Sequence, residues 1–245
     1  MNLVQEYDRW HERVFNSGPE HADESSPWYR LVRERLVPVA GKRVLEVGCG
    51  RGGFTVQLAC QGAFACGTDF SGSALEVAAA RARRDLAGAG SAEFVRADSQ
   101  SLPFSDGAFD LIISCEMIEH VPDPLAALRE MGRVCRPGGL LYLTTPNYLN
   151  LIGLYELYAA IRGKKIHSEF SQPLDLHYVF FQTRGFLRKA GWQIVGSDGT
   201  VHQAPLPGRN PVTMPLFEKN RNLRRWLAPL ALHYLLIGRK QESPV

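Results

Sequence analysis

Residues 42–62 read KRVLEVGCGRGGFTVQLACQG, and this stretch decides the fold. A short, β-branched strand, KRVLEVGCG (42–50), runs into glycines. The pattern then changes to GFTVQLACQG (53–62), a helix that Gly62 stops. Gly48, Gly50 and Gly53 form a GxGxxG between the two. Glycines there allow a tight turn and a close backbone approach to a ligand, and a helix N-terminus lies beyond.

Outward from this unit the same rhythm repeats. AFACGTDF (63–70) reads as a strand, SALEVAAARARRDLAGAG (73–90) as a helix and AEFVRAD (92–98) as a strand. DLIISC (110–115) is a strand, and DPLAALREMGRVC (123–135) is a helix with Asp123 as cap and Pro124 in its first turn. RPGG (136–139) is a turn and LLYLTTP (140–146) a strand. After a break the core resumes with a helix at 183–191 and strands at 192–198 and 232–240. Alternating strands and helices with near-continuous apolar strands indicate an α/β fold, with a mostly parallel sheet covered by helices on both faces. The whole chain, 1–245, is expected to be one domain. Residues 1–40 form a helical N-terminal cap, with helices at 3–15 and about 28–37. The cofactor-binding core is 41–146, 147–177 and 199–231 are insertions, and 178–198 and 232–240 complete the core.

Composition fits a globular protein, at 45% hydrophobic and 22% charged residues. The net charge of +3 is too small to argue for nucleic acid. Residues 213–245 alone carry +4, so the remainder is close to neutral. Cys49, Cys60, Cys66, Cys115 and Cys135 are odd in number and include no CxxC pair, which suggests reduced thiols in a cytoplasmic protein. The charged N-terminus does not read as a signal peptide, and no apolar run reaches the ~18 residues that span a bilayer.

The glycine loop alone suits NAD, FAD or S-adenosylmethionine. Asp69, nineteen residues past Gly50 at a strand end, can accept hydrogen bonds from a ribose diol. Glu46 lies two residues before Gly48; a carboxylate there suits a cationic amino-acid ligand and repels a pyrophosphate. Asp98 ends another strand, where it can accept from an exocyclic adenine amine.

Together these segments resemble the class I S-adenosylmethionine-dependent methyltransferases. VLEVGCGRGGFTVQLA is similar to their first motif, and GTDFSGSALEVAAARA to their second-strand acid and following helix. FVRADSQSLPFSDGAFDLIISCEMIEHVPDP and REMGRVCRPGGLLYLTTPN continue the resemblance through residue 146. It is looser over 178–198 and weak elsewhere. The resemblance implies a Rossmann-like, seven-stranded sheet with only the last strand antiparallel, and a cofactor across the carboxyl ends of the strands. It places Glu46, Gly48 and Gly50 at the methionine part of the cofactor and Asp69 at the ribose. Phe70 would pack on adenine, Asp98 and Ser99 would read its edge, and Cys115 would lie near the sulfonium.

CEMIEH (115–120) follows the fourth strand. If it turns helically, Glu116, Glu119 and His120 converge, and two carboxylates with an imidazole suit Mg²⁺ or Mn²⁺. A fourth ligand would come from His177, with His167 the weaker candidate. The ExxEH set resembles that of ubiquinone-biosynthesis O-methyltransferases and of small-RNA 2′-O-methyltransferases. There it holds a divalent ion that grips two adjacent oxygens, which implies a catechol, a sugar or another vicinal diol. Without a metal, Glu119 and His120 are a cap and a turn, and His120 or His177 is the general base.

The regions 1–35, 147–177 and 199–231 should wall the acceptor pocket, the middle one rich in aromatic residues. Residues 218–236 place Leu223, Trp226, Leu227 and Leu230 against Lys219, Arg221, Arg224 and Arg225. Such a helix can lie on an anionic membrane, but Pro229 interrupts it, and docking onto the fold is the favoured reading. The sequence therefore reads as a methyltransferase acting on a small molecule, with oxygen favoured over carbon or nitrogen and secondary metabolites among the acceptors. The rivals are an NAD-dependent oxidoreductase, a non-catalytic nucleotide-binding protein and an RNA methyltransferase. An RNA-binding module is not evident.

Overall fold

The computed structural model describes residues 3–16, 26–86, 90–149, 173–204 and 212–241. A seven-stranded sheet is built from β1 (Arg43–Val47), β2 (Phe64–Asp69), β3 (Ser91–Arg96), β4 (Phe109–Cys115), β5 (Cys135–Pro146), β6 (Trp192–Thr200) and β9 (His233–Lys240), in the order β3-β2-β1-β4-β5-β9-β6. β9 pairs antiparallel with both β5 and β6, and the remaining pairs are parallel. The order reverses between β1 and β4, so a crevice opens at the carboxyl ends of these strands, where open α/β sheets hold ligands.

Neighbouring residues along the central strands face opposite layers. Leu45, Ile112, Leu141 and Leu236 join one core with Leu128, Met131 and Trp192. Val44, Leu111, Ile113, Tyr142 and Leu235 join the other with Leu31, Val32, Phe54 and Leu58. This alternation is the period-two geometry of a strand buried on both faces. The covering helices include α3 (Gly53–Cys60), α4 (Gly72–Leu86), α5 (Pro124–Val134) and α6 (Phe180–Lys189), with α1 (Leu3–Asn16) and α2 (Pro27–Arg33) in the N-terminal cap. The Asp123 carboxylate caps α5 by accepting from the amides of Leu125 and Ala126 at 3.0 Å.

Two details depart from the sequence expectation. RPGG lies inside β5, because Cys135 already pairs with Phe109 and the register then shifts before Leu111. Gly138 takes a left-handed φ of 72°, which absorbs the bulge. Among the described residues of the 199–231 insertion there is no single amphipathic helix. The insertion contains a small ribbon, β7 (Gln203–Ala204) with β8 (Val212–Thr213), then α7 (Pro215–Lys219) and α8 (Arg221–Trp226), which Asn220 caps. Two residues of the anticipated faces change places: Arg224 is buried and Trp226 is 78% exposed, while Lys219, Arg221 and Arg225 face out as expected. Arg224 turns inward because Asp198 is fully buried and Glu34 lies beside it, and Arg35 completes the cluster at 3.0 Å from Asp198. No helix of the described residues is long and apolar enough to cross a membrane.

Candidate active site

β1 ends in a loop that the rest of the site is built around. The amides of Gly48 and Cys49 both donate to the Thr68 carbonyl on β2, at 2.8 and 2.9 Å. Gly48 has φ 77°, and a Cβ there would sit 2.3 Å from Met117 Cγ, so both the turn and the close approach require glycine. The third special backbone position is Gly52, left-handed at the N-terminus of α3, rather than Gly53 of the sequence pattern. Asp69 ties the loop to the second strand. Its Oδ2 accepts from the Gly50 amide at 2.8 Å and its Oδ1 from the Ser71 amide at 2.9 Å. A carboxylate has about four lone-pair sites, so it can still accept from a ligand diol.

The loop lines a cavity of about 630 Å³, within the usual range for small-molecule sites. Gly48, Gly50, Asp69, Phe70, Asp98 and Ser99 all line it. Asp98 is held in place by the amide and side chain of Gln100, at 2.8 and 3.0 Å. Tyr7, Trp10, His11, Trp28 and Tyr29 of the cap line the cavity too. Tyr7 stands edge-on to Phe70, with ring centroids 6.4 Å apart. A left-handed glycine loop, two strand-end carboxylates and an aromatic wall fit a nucleoside with a polar tail.

Glu46 and Cys115 do not line the cavity, contrary to the sequence expectation. Glu46 is fully buried; its Oε1 accepts from the Tyr29 hydroxyl at 3.3 Å and its Oε2 from Thr55 Oγ1. Burial pushes its carboxyl up to about 7 despite those two bonds. Glu46 therefore braces the loop from beneath, linking β1 to α2 and α3. Cys115 is buried at the end of β4, and burial raises its thiol well above the usual range.

The segment after β4 lines the same cavity, with Met117 packed against Gly48. Glu116 itself takes a left-handed φ of 50°, and only Ile118–His120 turn helically, as one 3₁₀ turn. The helical convergence expected of Glu116, Glu119 and His120 therefore does not form, although all three line the cavity. Glu116 Oε2 lies 2.8 Å from Nδ1 of His233, at the start of β9. Glu119 is buried; its Oε2 accepts from Thr145 Oγ1 at 2.8 Å, and its Oε1 lies 3.6 Å from His120 Nε2. Burial, and then the Glu116 charge, raise the Glu119 carboxyl well above the usual range.

His120 Nδ1 lies 2.6 Å from the Leu174 carbonyl oxygen. A carbonyl only accepts, so Nδ1 bears the proton and a neutral ring carries its lone pair on Nε2. Burial lowers the His120 pKa, against the pull of that carbonyl, and favours the neutral ring. Burial alone would lower His233 as well, but the adjacent Glu116 carboxylate outweighs it and raises the pKa.

His177 is exposed and outside the cavity lining, its ring edge-on to Tyr148 with centroids 4.1 Å apart. His167, with Tyr155, Tyr158 and Phe170, lies outside the described residues. Instead, Tyr148 and Asp175 line the cavity, hydrogen-bonded at 3.1 Å. Among the described residues no three His, Cys, Asp or Glu side chains are placed to hold a metal ion. Glu119 and His120 stand as neighbours on an ion would, but Glu116 is turned to His233. The set of Glu116, Glu119, His120 and His177 does not fit a divalent ion in this arrangement. His233 escaped the sequence reading, although a histidine opening the last strand was a usable signal. An antiparallel strand begins at the edge where the parallel strands end.

Residues 45–143 match the family model described as a methyltransferase domain. The chain is 33% identical over 219 residues to the ubiquinone biosynthesis O-methyltransferase of Ralstonia nicotianae, covering 86% of this chain and 82% of that protein. It is 37% identical over 134 residues to the demethylmenaquinone methyltransferase of Clavibacter sepedonicus, covering 54% and 53%. A solved S-adenosylmethionine-dependent methyltransferase from Thermotoga maritima shares the fold, with a TM-score of 0.63 at 17% identity over 97% of this chain and 99% of that one. With the glycine loop, the acids at 69 and 98 and the sheet order, these likenesses establish that the chain belongs to the class I S-adenosylmethionine-dependent methyltransferases.

Proposed function

We propose that the chain methylates a hydroxyl oxygen of a small acceptor, and that His120 takes the hydroxyl proton. The observation that carries this reading is the fixed tautomer of His120. Its Nδ1 is tied to the Leu174 carbonyl, which leaves the lone pair on Nε2 of a neutral ring that lines the cavity. S-adenosylmethionine, when bound, supplies a methyl group on a sulfonium, so the chain has mainly to position the acceptor and free its lone pair. The glycine loop, Asp69 and Asp98 hold the cofactor end. Tyr148, Asp175 and Glu116 border the acceptor end. Burial raises the Glu119 carboxyl well above the usual range, which disfavours a second negative charge beside the reacting oxygen.

The relatives named ubiquinone biosynthesis O-methyltransferases support oxygen as the target atom, and a catechol as the first probe. No step here is routed through Mg²⁺ or Mn²⁺. The test is steady-state methylation of catechol by His120→Ala. General-base assistance is worth 10² to 10⁴ in rate, so kcat should fall by at least about 100-fold while S-adenosylhomocysteine affinity stays within twofold of wild type. An unchanged kcat would remove His120 from the reaction.

A further inference from the structure

The pairing of Glu116 with His233 has a consequence for metal binding at this edge. Glu116 leaves β4 with its amide bonded to the Thr144 carbonyl of β5, at 3.0 Å. Its φ of 50° is strained for a residue with a side chain. His233 lies directly across the sheet, paired with Pro146 at the end of β5. The Trp28 ring packs on the His233 ring at 5.1 Å, fixing it from the cap side. The imidazole Nδ1 meets Glu116 Oε2 at 2.8 Å, while Oε1 is buried and has no hydrogen-bond partner.

We propose that His233 occupies the place of a metal ion at this edge: by holding the Glu116 carboxylate through Oε2, it keeps that carboxylate from joining Glu119 and His120 around a cation. The inference goes beyond the function proposed above in assigning His233 a role, and it stands apart from the identity of the acceptor. A cation placed among Glu116, Glu119 and His120 would have to displace the imidazole from Oε2. The hydrogen bond, the Trp28 contact and the strand register all hold it there.

The test is a titration of the full chain with Mn²⁺, followed by electron paramagnetic resonance, with S-adenosylhomocysteine present. Wild type and Glu116→Gln should bind Mn²⁺ with the same affinity, within threefold. His233→Ala, which frees the carboxylate to join Glu119 and His120, should bind at least tenfold more tightly than wild type. His233→Asn, which keeps an amide donor near the Nδ1 position, should behave as wild type. A wild-type affinity that Glu116→Gln weakens tenfold would overturn the proposal, as would a folded His233→Ala that binds Mn²⁺ no better than wild type. Thermal melting reports whether each variant folds, and the wild-type and Glu116→Gln comparison decides the matter without His233→Ala. The readout is metal binding, so a failure to methylate catechol would count against the proposed function and leave this result standing.

Discussion

Replacing Gly48 by alanine should damage cofactor binding more than the same change at Gly50, by an amount the geometry sets. Both residues have positive φ, 77° and 51°. A left-handed alanine costs roughly 1–2 kcal/mol at either position. A Cβ at Gly50 meets nothing within 4 Å, so the backbone cost is the whole effect there. A Cβ at Gly48 would stand 2.3 Å from Met117 Cγ and 2.7 Å from Met117 Cβ. Met117 cannot yield by rotating its tip, because the clash reaches its Cβ. Overpacking of this kind costs about 1–3 kcal/mol more. Relief requires the glycine loop and the Glu116–Met117 turn to part, and both line the cavity. Calorimetric titration with S-adenosylhomocysteine should therefore show Gly48→Ala at least tenfold weaker than Gly50→Ala, a factor worth about 1.4 kcal/mol. Equal affinities for the two variants would refute the claim that Met117 packs the loop into its binding shape.

Three further outcomes follow from other parts of the structure. Glu46 has its folded pKa raised from 4.5 to about 7. Between those values the folded state binds the extra proton, so stability falls as pH rises through the window, by about 3 kcal/mol. Melts from pH 4.5 to 7.5 should show a decline that Glu46→Gln flattens. Asp69→Ala removes the acceptor of the Gly50 and Ser71 amides. Bonds to a charged group are worth about 1.5–3 kcal/mol each, so S-adenosylhomocysteine affinity should drop at least tenfold in calorimetry. Asp198→Ala leaves the buried Arg224 without one of its carboxylates. Breaking such a buried cluster costs about 3–5 kcal/mol, so urea unfolding should shift to a clearly lower midpoint with the slope unchanged.

The core was legible because its signals are local. Strand periods, the Gly62 stop, the Asp123 cap and the glycine loop each follow from a few adjacent residues. The structure keeps them with ends moved by no more than five residues. Gly48, Gly50, Asp69, Phe70, Asp98 and Ser99 reach the cavity because strand ends in a parallel sheet share one edge. Glu46 does not line the cavity because residues alternate along β1, and position 46 turns its side chain toward Tyr29 and Thr55. The condition for convergence in CEMIEH, a helical turn, fails because a left-handed backbone at Glu116 breaks helical spacing, and nothing in a glutamate announces that conformation. His233 was missed because 117 residues separate it from Glu116, and only the antiparallel register of β9 on β5 joins them. Arg224 reads as a solvent-facing basic residue until its buried partners, Asp198 and Glu34, are known.

The most direct measurement of the central claim is the product formed from S-adenosylmethionine carrying a ¹³C-labelled methyl group, with catechol as acceptor. The ¹³C chemical shift separates a methyl bound to oxygen from one bound to ring carbon. The account predicts a single methoxy carbon in the product and its loss in Asp69→Ala. A ring-bound methyl carbon, or labelled cofactor left unconsumed by a folded chain that binds it, would contradict the account.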